Sequence, residues 1–289
     1  MREAALRGRL CAIQWLCYTV CPDGCLPRRW RLYPVLRLGP LAVTSYSALL
    51  GIGLLGGAAI AYLAARRRGL DTSCVLDAVL AAVLGGLAGA RATYVAFNWG
   101  YYGDHLARAL DLWGGGHIWQ GGLVGALIAA LVYCAARGVA PGPVLDTLSP
   151  GAALLAVCAW LGCFLDKCAY GIETYPGQGL LWALSLELPD IYGIRVPRVA
   201  VQLMGAGWGV VALAVIAFAM RRARSGGLVL PFGLTLYCAG SFWLGFLRVD
   251  EMPLLAGLRI DQVADLALFV IGAVISVVGL VRNKERAIT

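Results

Sequence analysis

Charge is what this sequence has least of. Only 14% of its 289 residues are charged and 60% are hydrophobic, with a mean hydropathy of +0.77. A soluble domain carries about 25% charged residues and keeps a polar shell, so a water-soluble globular fold is excluded. The chain also lacks a fixed-period repeat, a low-complexity linker and a stretch that reads as a second soluble domain. Paired C-x-x-C spacing is missing, so no zinc or iron–sulfur site is expected. The apolar runs show no acidic proton relay and no evident inverted repeat, which argues against a channel or transporter.

What is present is apolar length. A bilayer core about 30 Å thick needs about 20 apolar residues per helix. Seven such runs stand between charge clusters: Ala42 to Ala65, Val75 to Phe97, Gln120 to Ala136, Asp146 to Leu165, Ala200 to Met220, Leu228 to Leu247 and Gln262 to Val281. The expected fold is an all-α integral membrane protein, a seven-transmembrane-helix bundle over residues 34–289 with outer-side loops and a short extension at 1–33. Glycine pairs four apart, Gly53/Gly57, Gly85/Gly89, Gly121/Gly125 and Gly205/Gly209, are read as packing positions where backbones approach.

Arg66, Arg67, Arg68, Arg137, Arg221, Arg222, Arg224, Arg282, Lys284 and Arg286 fall at ends that share one side. By the positive-inside rule that side, with the C-terminus, is cytoplasmic. The extension, with Arg2, Arg7, Arg9, Arg28, Arg29 and Arg31, and with Arg37 following within the first 40 residues, runs against this orientation. It also holds Cys11, Cys17, Cys21 and Cys25, read as isolated thiols or an extracellular disulfide. Its apolar stretch, Leu10 to Cys21, is too short to span.

Ionisable groups inside a span cost roughly 2.5–3.5 kcal/mol each, so each one needs a reason. Arg91 lies deep in the second run. In the seven-span arrangement Tyr46, Arg91, Gln120, Cys163, Asp166, Arg198, Gln202 and Arg248 converge on the outer headgroup level, where guanidinium suits the phosphate of an anionic phospholipid. Snorkelling to the interface is the plainer alternative for Arg198 and Arg248. Asp77 is too far along the second run to pair with Arg91.

At these residues the chain resembles a family, the bacterial prolipoprotein diacylglyceryl transferases. Tyr33-Pro-Val-Leu-Arg-Leu-Gly-Pro-Leu-Ala-Val through Tyr46 is similar to the family's opening segment, and Gly89-Ala-Arg91-Ala-Thr-Tyr94-Val to its "G-G-R-x-x-Y-V" helix. Trp113 to Gly122 resembles the loop that usually ends "F-H-G-G". Leu161-Gly-Cys-Phe-Leu-Asp-Lys-Cys-Ala-Tyr-Gly171 resembles the family signature as distant members write it, "G-C-F-L-x-x-C-x-Y-G".

The resemblance implies transfer of a diacylglyceryl group from phosphatidylglycerol to the lipobox cysteine of a secreted preprolipoprotein, at the outer leaflet of the bacterial inner membrane. It implies no metal, no soluble cofactor and no nucleic acid. A thiolate must attack an sp³ carbon while glycerol phosphate departs, so a base and cations are needed.

Tyr46, Arg91, Tyr94, Gly162, Gly171 and Gln202 match the family's types, and Arg248 matches the last Arg of its "R-F-x-x-E-F-x-R" run. Gln120 stands where the family has its catalytic His, Trp160 in place of the signature Arg, and Ser241 and Gly245 in place of an Arg and a Glu. Near Gln202 the usual "H-P-x-Q-L-Y-E" reads Val199-Ala-Val-Gln-Leu-Met-Gly205.

The candidate catalytic residues are therefore Gln120, His117 and Tyr46. The candidate substrate-binding residues are Arg91, Arg198, Gln202, Arg248, Tyr94, Cys163 and Gly171. His117 is a substitute base, Arg198 a substitute phosphate ligand, and Lys167 a neighbour that would acidify the thiols of Cys163 or Cys168. Buried structural thiols are the alternative for that pair. A catalytically inactive member that binds lipid or joins a larger complex is the alternative for the whole chain.

Overall fold

The computed structural model describes residues 36–38, 41–112, 115–189, 194–222, 227–250 and 252–288. The extension with Cys11, Cys17, Cys21 and Cys25, together with Tyr33, Pro34, Trp113 and Gly114, lies outside the described residues.

Long helices form on all seven apolar runs: α1 (Ser45–Arg68), α2 (Thr72–Phe97), α5 (Trp119–Arg137), α6 (Pro141–Asp166), α8 (Val201–Arg222), α9 (Val229–Gly245) and α10 (Ile260–Ile288). Single turns α3 (Trp99–Tyr102), α4 (Leu106–Ala109) and α7 (Leu180–Ala183) sit between them. Local chemistry sets the boundaries. Thr44 caps α1 by accepting from the Ser47 amide, and Asp71 caps α2 by accepting from the Ser73 amide. Gly69 and Gly138 end α1 and α5 in the left-handed conformation.

Six of these helices are long and apolar enough to cross a bilayer; α9, with 17 residues, is shorter. Their outward positions are apolar: Leu55 is 76% exposed, Leu80 58% and Trp243 69%. The inward positions are mostly small or polar. A surface this apolar belongs in lipid, and the chain is an integral membrane protein.

Consecutive contacts fix the helix directions. Gly89 of α2 packs on Gly121 of α5, and Gly85 on Gly125, so closely that a Cβ on either α2 glycine would strike the facing carbonyl. Gly57 of α1 meets Gly151 of α6, while Tyr46 meets Gly162. Trp160 of α6 covers Gly205 of α8, and Gln262 of α10 covers Gly245 of α9. Each of these pairs is antiparallel. One end of the bundle therefore collects Tyr46, Arg91, Gln120, Asp166, Gln202, Gly245 and Asp261. Arg66 to Arg68, Arg137, Arg221, Arg222 and Lys284 gather at the other.

Three antiparallel hairpins decorate the first end and qualify the all-helical expectation: β1 (Leu36–Leu38) with β2 (Leu41–Val43), β3 (Ser185–Pro189) with β4 (Arg195–Val199), and β5 (Leu254–Leu255) with β6 (Leu258–Arg259). Burial rises along β4 from exposed Arg195 to buried Arg198 and Val199, which as adjacent strand residues point to opposite faces and are both covered at the base of α8.

At the opposite end Asp146, fully buried on α6, accepts the backbone N–H groups of Gly227, Val229 and Leu230, the last two at 2.9 Å. Those amides open α9, whose own N-cap residue, Leu228, supplies no side-chain acceptor.

Candidate active site

Arg91 is 6% exposed and faces inward, as a costly charge in an apolar helix requires. Its donors are taken by the backbone. Nε donates to the Ala109 carbonyl at 2.9 Å, Nη2 to Arg108 at 2.7 Å, and Nη1 to both Gly115 and Gly116. The guanidinium also lies over the rings of Tyr94 and Tyr102. Arg91 and Tyr94 thus organise the loop between α2 and α5. His117, on that loop, is exposed; loss of water on one side and the Arg91 charge hold its imidazole below the ordinary range.

After Asp166 the chain turns through left-handed backbone at Lys167 (φ 61°) and Ala169 (φ 51°), and Cys163 joins Cys168 in a disulfide. This corrects the expectation of two thiols. Neither cysteine keeps an S–H for Lys167 to acidify. Lys167 itself is held below its usual range by partial burial and the Arg195 charge.

The stapled turn delivers Tyr170-Gly171-Ile172 onto the segment after α9. Gly171 bridges Arg248, the Val249 amide donates to the Tyr170 carbonyl at 3.1 Å, and the Ile172 amide to Leu247 at 2.9 Å. A Cβ on Gly171 would run into the Val199 carbonyl, which is why glycine stands there. Gln202, 2% exposed, donates to the Cys168 carbonyl at 2.9 Å, while its Oε1 finds no hydrogen-bond partner among the described residues. Arg198 pairs with Glu173 at 2.8 Å and lies over the Tyr170 ring. It is packed and paired, not snorkelling.

The densest charge lies where α5, α9 and α10 meet. Arg248 makes a two-pronged pair with Asp250, at 2.9 and 2.6 Å, and reaches Asp261 at 3.1 Å. Arg259 holds the same two residues: Asp261 at 3.1 and 3.2 Å, and both the Asp250 carboxylate and carbonyl. Burial opposes the Arg248 cation, but its bond to Asp250 and the charges of Asp250, Asp261 and Asp265 outweigh that and strengthen its hold on the proton. Burial likewise opposes ionisation of Asp250, and Arg248 and Arg259 overcome it, holding the carboxyl below its ordinary range.

Gln120 enters this cluster from α5. Its Nε2 faces the Asp261 carbonyl at 3.3 Å and an Asp265 carboxylate oxygen at 3.5 Å. Both neighbours are acceptors, so the amide nitrogen must face them. The Gln120 Oε1, buried, is left without a hydrogen-bond partner among the described residues. Trp160, in place of the family's Arg, lies under the Arg248 guanidinium and donates from Nε1 to the Tyr237 hydroxyl at 3.0 Å.

The candidate residues thus fall into neighbouring groups at one end of the bundle. Arg91, Tyr94 and His117 go with the α2–α5 loop. Gly171, Gln202, Arg198 and the disulfide go with the turn after α6. Gln120 and Arg248 go with the charge cluster. Half-buried Tyr46 packs on Gly162 within the field of Asp166. A cavity of about 420 Å³ lies at the other end, lined by Leu70, Cys74, Arg137 and Val144 among others, away from all of them.

Asp250, Arg259, Asp261 and Asp265 complete the site beyond the residues expected from sequence. The signal was present: in Ile260-Asp-Gln-Val-Ala-Asp265 two carboxylates stand four apart, one helical face, at the head of an apolar run.

Comparison with known proteins identifies the family. The family model described as prolipoprotein diacylglyceryl transferase matches residues 34–278. A phosphatidylglycerol–prolipoprotein diacylglyceryl transferase of Geobacillus kaustophilus is 31% identical over 258 residues, covering 87% of this chain and 94% of the relative. Proteins of that name from Bacillus licheniformis (29% over 257 residues; 86% and 93%) and Prochlorococcus marinus (31% over 269 residues; 82% and 88%) are comparably similar. The chain belongs to the prolipoprotein diacylglyceryl transferase family.

Proposed function

We propose that this chain transfers the diacylglyceryl group of phosphatidylglycerol to the lipobox cysteine thiol of a preprolipoprotein. The observation that carries the reading is the buried Arg248–Arg259–Asp261–Gln120 cluster. A membrane family that handles a phospholipid has here concentrated paired cations, and a carboxamide oxygen without a hydrogen-bond partner among the described residues, at one end of an otherwise apolar bundle. The sulfur must displace a phosphate oxygen from an sp³ carbon. Arg248 exchanges part of its carboxylate contact for that phosphate and stabilises the charge it gains on leaving. Arg91 serves by fixing the loop that leads into α5, not by holding the phosphate with donors already engaged.

The end bearing this cluster faces the outer leaflet of the bacterial inner membrane, and the Arg-rich end with the C-terminus faces the cytoplasm, in keeping with the positive-inside rule. In this reading α9 makes the seventh crossing. At 17 residues it extends about 25 Å, a little short of a typical core, and Asp146 satisfies the amides at its start.

The test is direct. Purified chain is given phosphatidylglycerol labelled in its acyl chains and a lipobox peptide, beside an active family enzyme. Label on the peptide cysteine is expected; its absence, with the control active, overturns the reading.

A further inference from the structure

The reading above needs a proton acceptor for the attacking thiol, and the residue at the family's histidine position cannot be one: a carboxamide has no useful basicity near neutral pH. We propose that Asp265 of α10, held by Gln120, is the proton acceptor of the transfer. This rests on the proposed transferase function and goes beyond it by naming the group that replaces the missing imidazole.

Four observations lead there. Asp265 is 2% exposed, inside a helix of membrane-spanning length, where a carboxylate is expensive unless it serves something. It lies against Gln120, so it occupies the neighbourhood the family gives to its histidine. It is less engaged in cation pairing than the carboxylates around it: Asp250 and Asp261 make the ion pairs to Arg248 and Arg259, whereas Asp265 lies in the field of Arg248 with Ser241 and Gln120 as its polar neighbours. Beside it the buried Gln120 Oε1 has no donor among the described residues, and an incoming S–H or the hydroxyl of a glycerol headgroup is such a donor.

The groups that face Asp265 are Gln120 from α5; Tyr237, Cys238 and Ser241 from α9; Arg248 just after α9; and Asp261 one turn earlier on its own helix.

The step balances. The cysteine S–H proton passes to an Asp265 carboxylate oxygen, and a sulfur electron pair forms the C–S bond to the glycerol carbon of the diacylglyceryl group. The C–O bond to phosphate breaks with its pair on oxygen, and glycerol phosphate leaves. Asp265 then releases the proton to solvent before the next turnover.

The experiment uses the full chain in lipid nanodiscs with phosphatidylglycerol and a lipobox peptide, its transfer rate followed against pH. Asp265→Asn is expected to lose about 100-fold in rate or more and to lose the rise in rate with pH that ionisation of the base produces. Adding Gln120→His to Asp265→Asn returns an imidazole to the family's position and is expected to recover about tenfold or more. An Asp265→Asn chain with the wild-type rate overturns the proposal. So does one slowed by the same factor at every pH, which marks a merely structural carboxylate. If Asp265→Asn does not yield a folded, monodisperse protein, Asp265→Glu decides: a displaced pH limb supports the proposal and an unmoved one overturns it. A wild-type chain that transfers nothing overturns this proposal and the transferase reading together, whereas an active wild type with an indifferent Asp265 overturns this one alone.

Discussion

The Arg248 guanidinium and the Asp261 carboxylate meet at 3.1 Å, tying the chain just beyond α9 to the first turn of α10. The same carboxylate binds Arg259, so removing it leaves two buried cations to share the single carboxylate of Asp250. Breaking a buried pair in this way costs about 3–5 kcal/mol. Asp261→Ala is therefore expected to lower the melting temperature in detergent by several degrees, and an unchanged melting curve would mean the pairs contribute no net stability.

Asp250 gives this cluster a pH dependence. Its folded-state pKa lies below its unfolded value because Arg248 and Arg259 outweigh its burial. The stability it contributes is complete above the unfolded carboxylate pKa of about 3.9 and is lost as pH falls below that, through the lower folded value. Melting temperature plotted against pH should turn down on this acid side in the wild type, and Asp250→Asn should remove part of that downturn. An identical acid limb in both proteins would contradict this.

Arg91 makes a different prediction from the one its charge alone invites. Its fork grips the carbonyls of Arg108, Ala109, Gly115 and Gly116. Lysine keeps the charge but cannot reproduce the planar set of donors. Arg91→Lys is expected to raise the rate of tryptic cleavage after Arg108 by about tenfold, as a loop released from its anchor opens locally. Cleavage at the wild-type rate would return Arg91 to the role of a simple charge.

The Cys163–Cys168 bond is open to peptide mapping, because Lys167 lies between the two cysteines. Trypsin acting on unreduced protein should release two peptides, one ending at Lys167, that remain joined until a reductant is added. Separate peptides before reduction, each alkylated, would show two thiols instead.

The helices were legible because lipid imposes a single demand, about 20 apolar residues between charges, and each of the seven runs became a helix. The glycines were equally readable: Gly85, Gly89, Gly121 and Gly125 do what their spacing implies. The disulfide was not. Cys163 and Cys168 stand five positions apart, and on a continuing helix the two would point apart; only the left-handed turn at Lys167 and Ala169, non-glycine residues that composition does not mark, folds the second back. The charge cluster was half legible. Arg248 and Gln120 stood out by likeness to the family, but their partners are Asp250, just beyond Arg248, and residues of α10, where the family resemblance offered no motif and the apolar average of the run hid Asp265. The β3–β4 hairpin escaped because its strands are short and carry proline.

Asp146 has a consequence for biogenesis. The amides that open α9 find their acceptor on α6, an element made some 80 residues earlier in synthesis. Alone in lipid, α9 would carry those N–H groups unpaired, at a cost of several kcal/mol each. Its partition into the bilayer is most favourable once α6 is already beside it, so the chain has a built-in order of assembly: the sixth-numbered helix must be waiting when the ninth arrives.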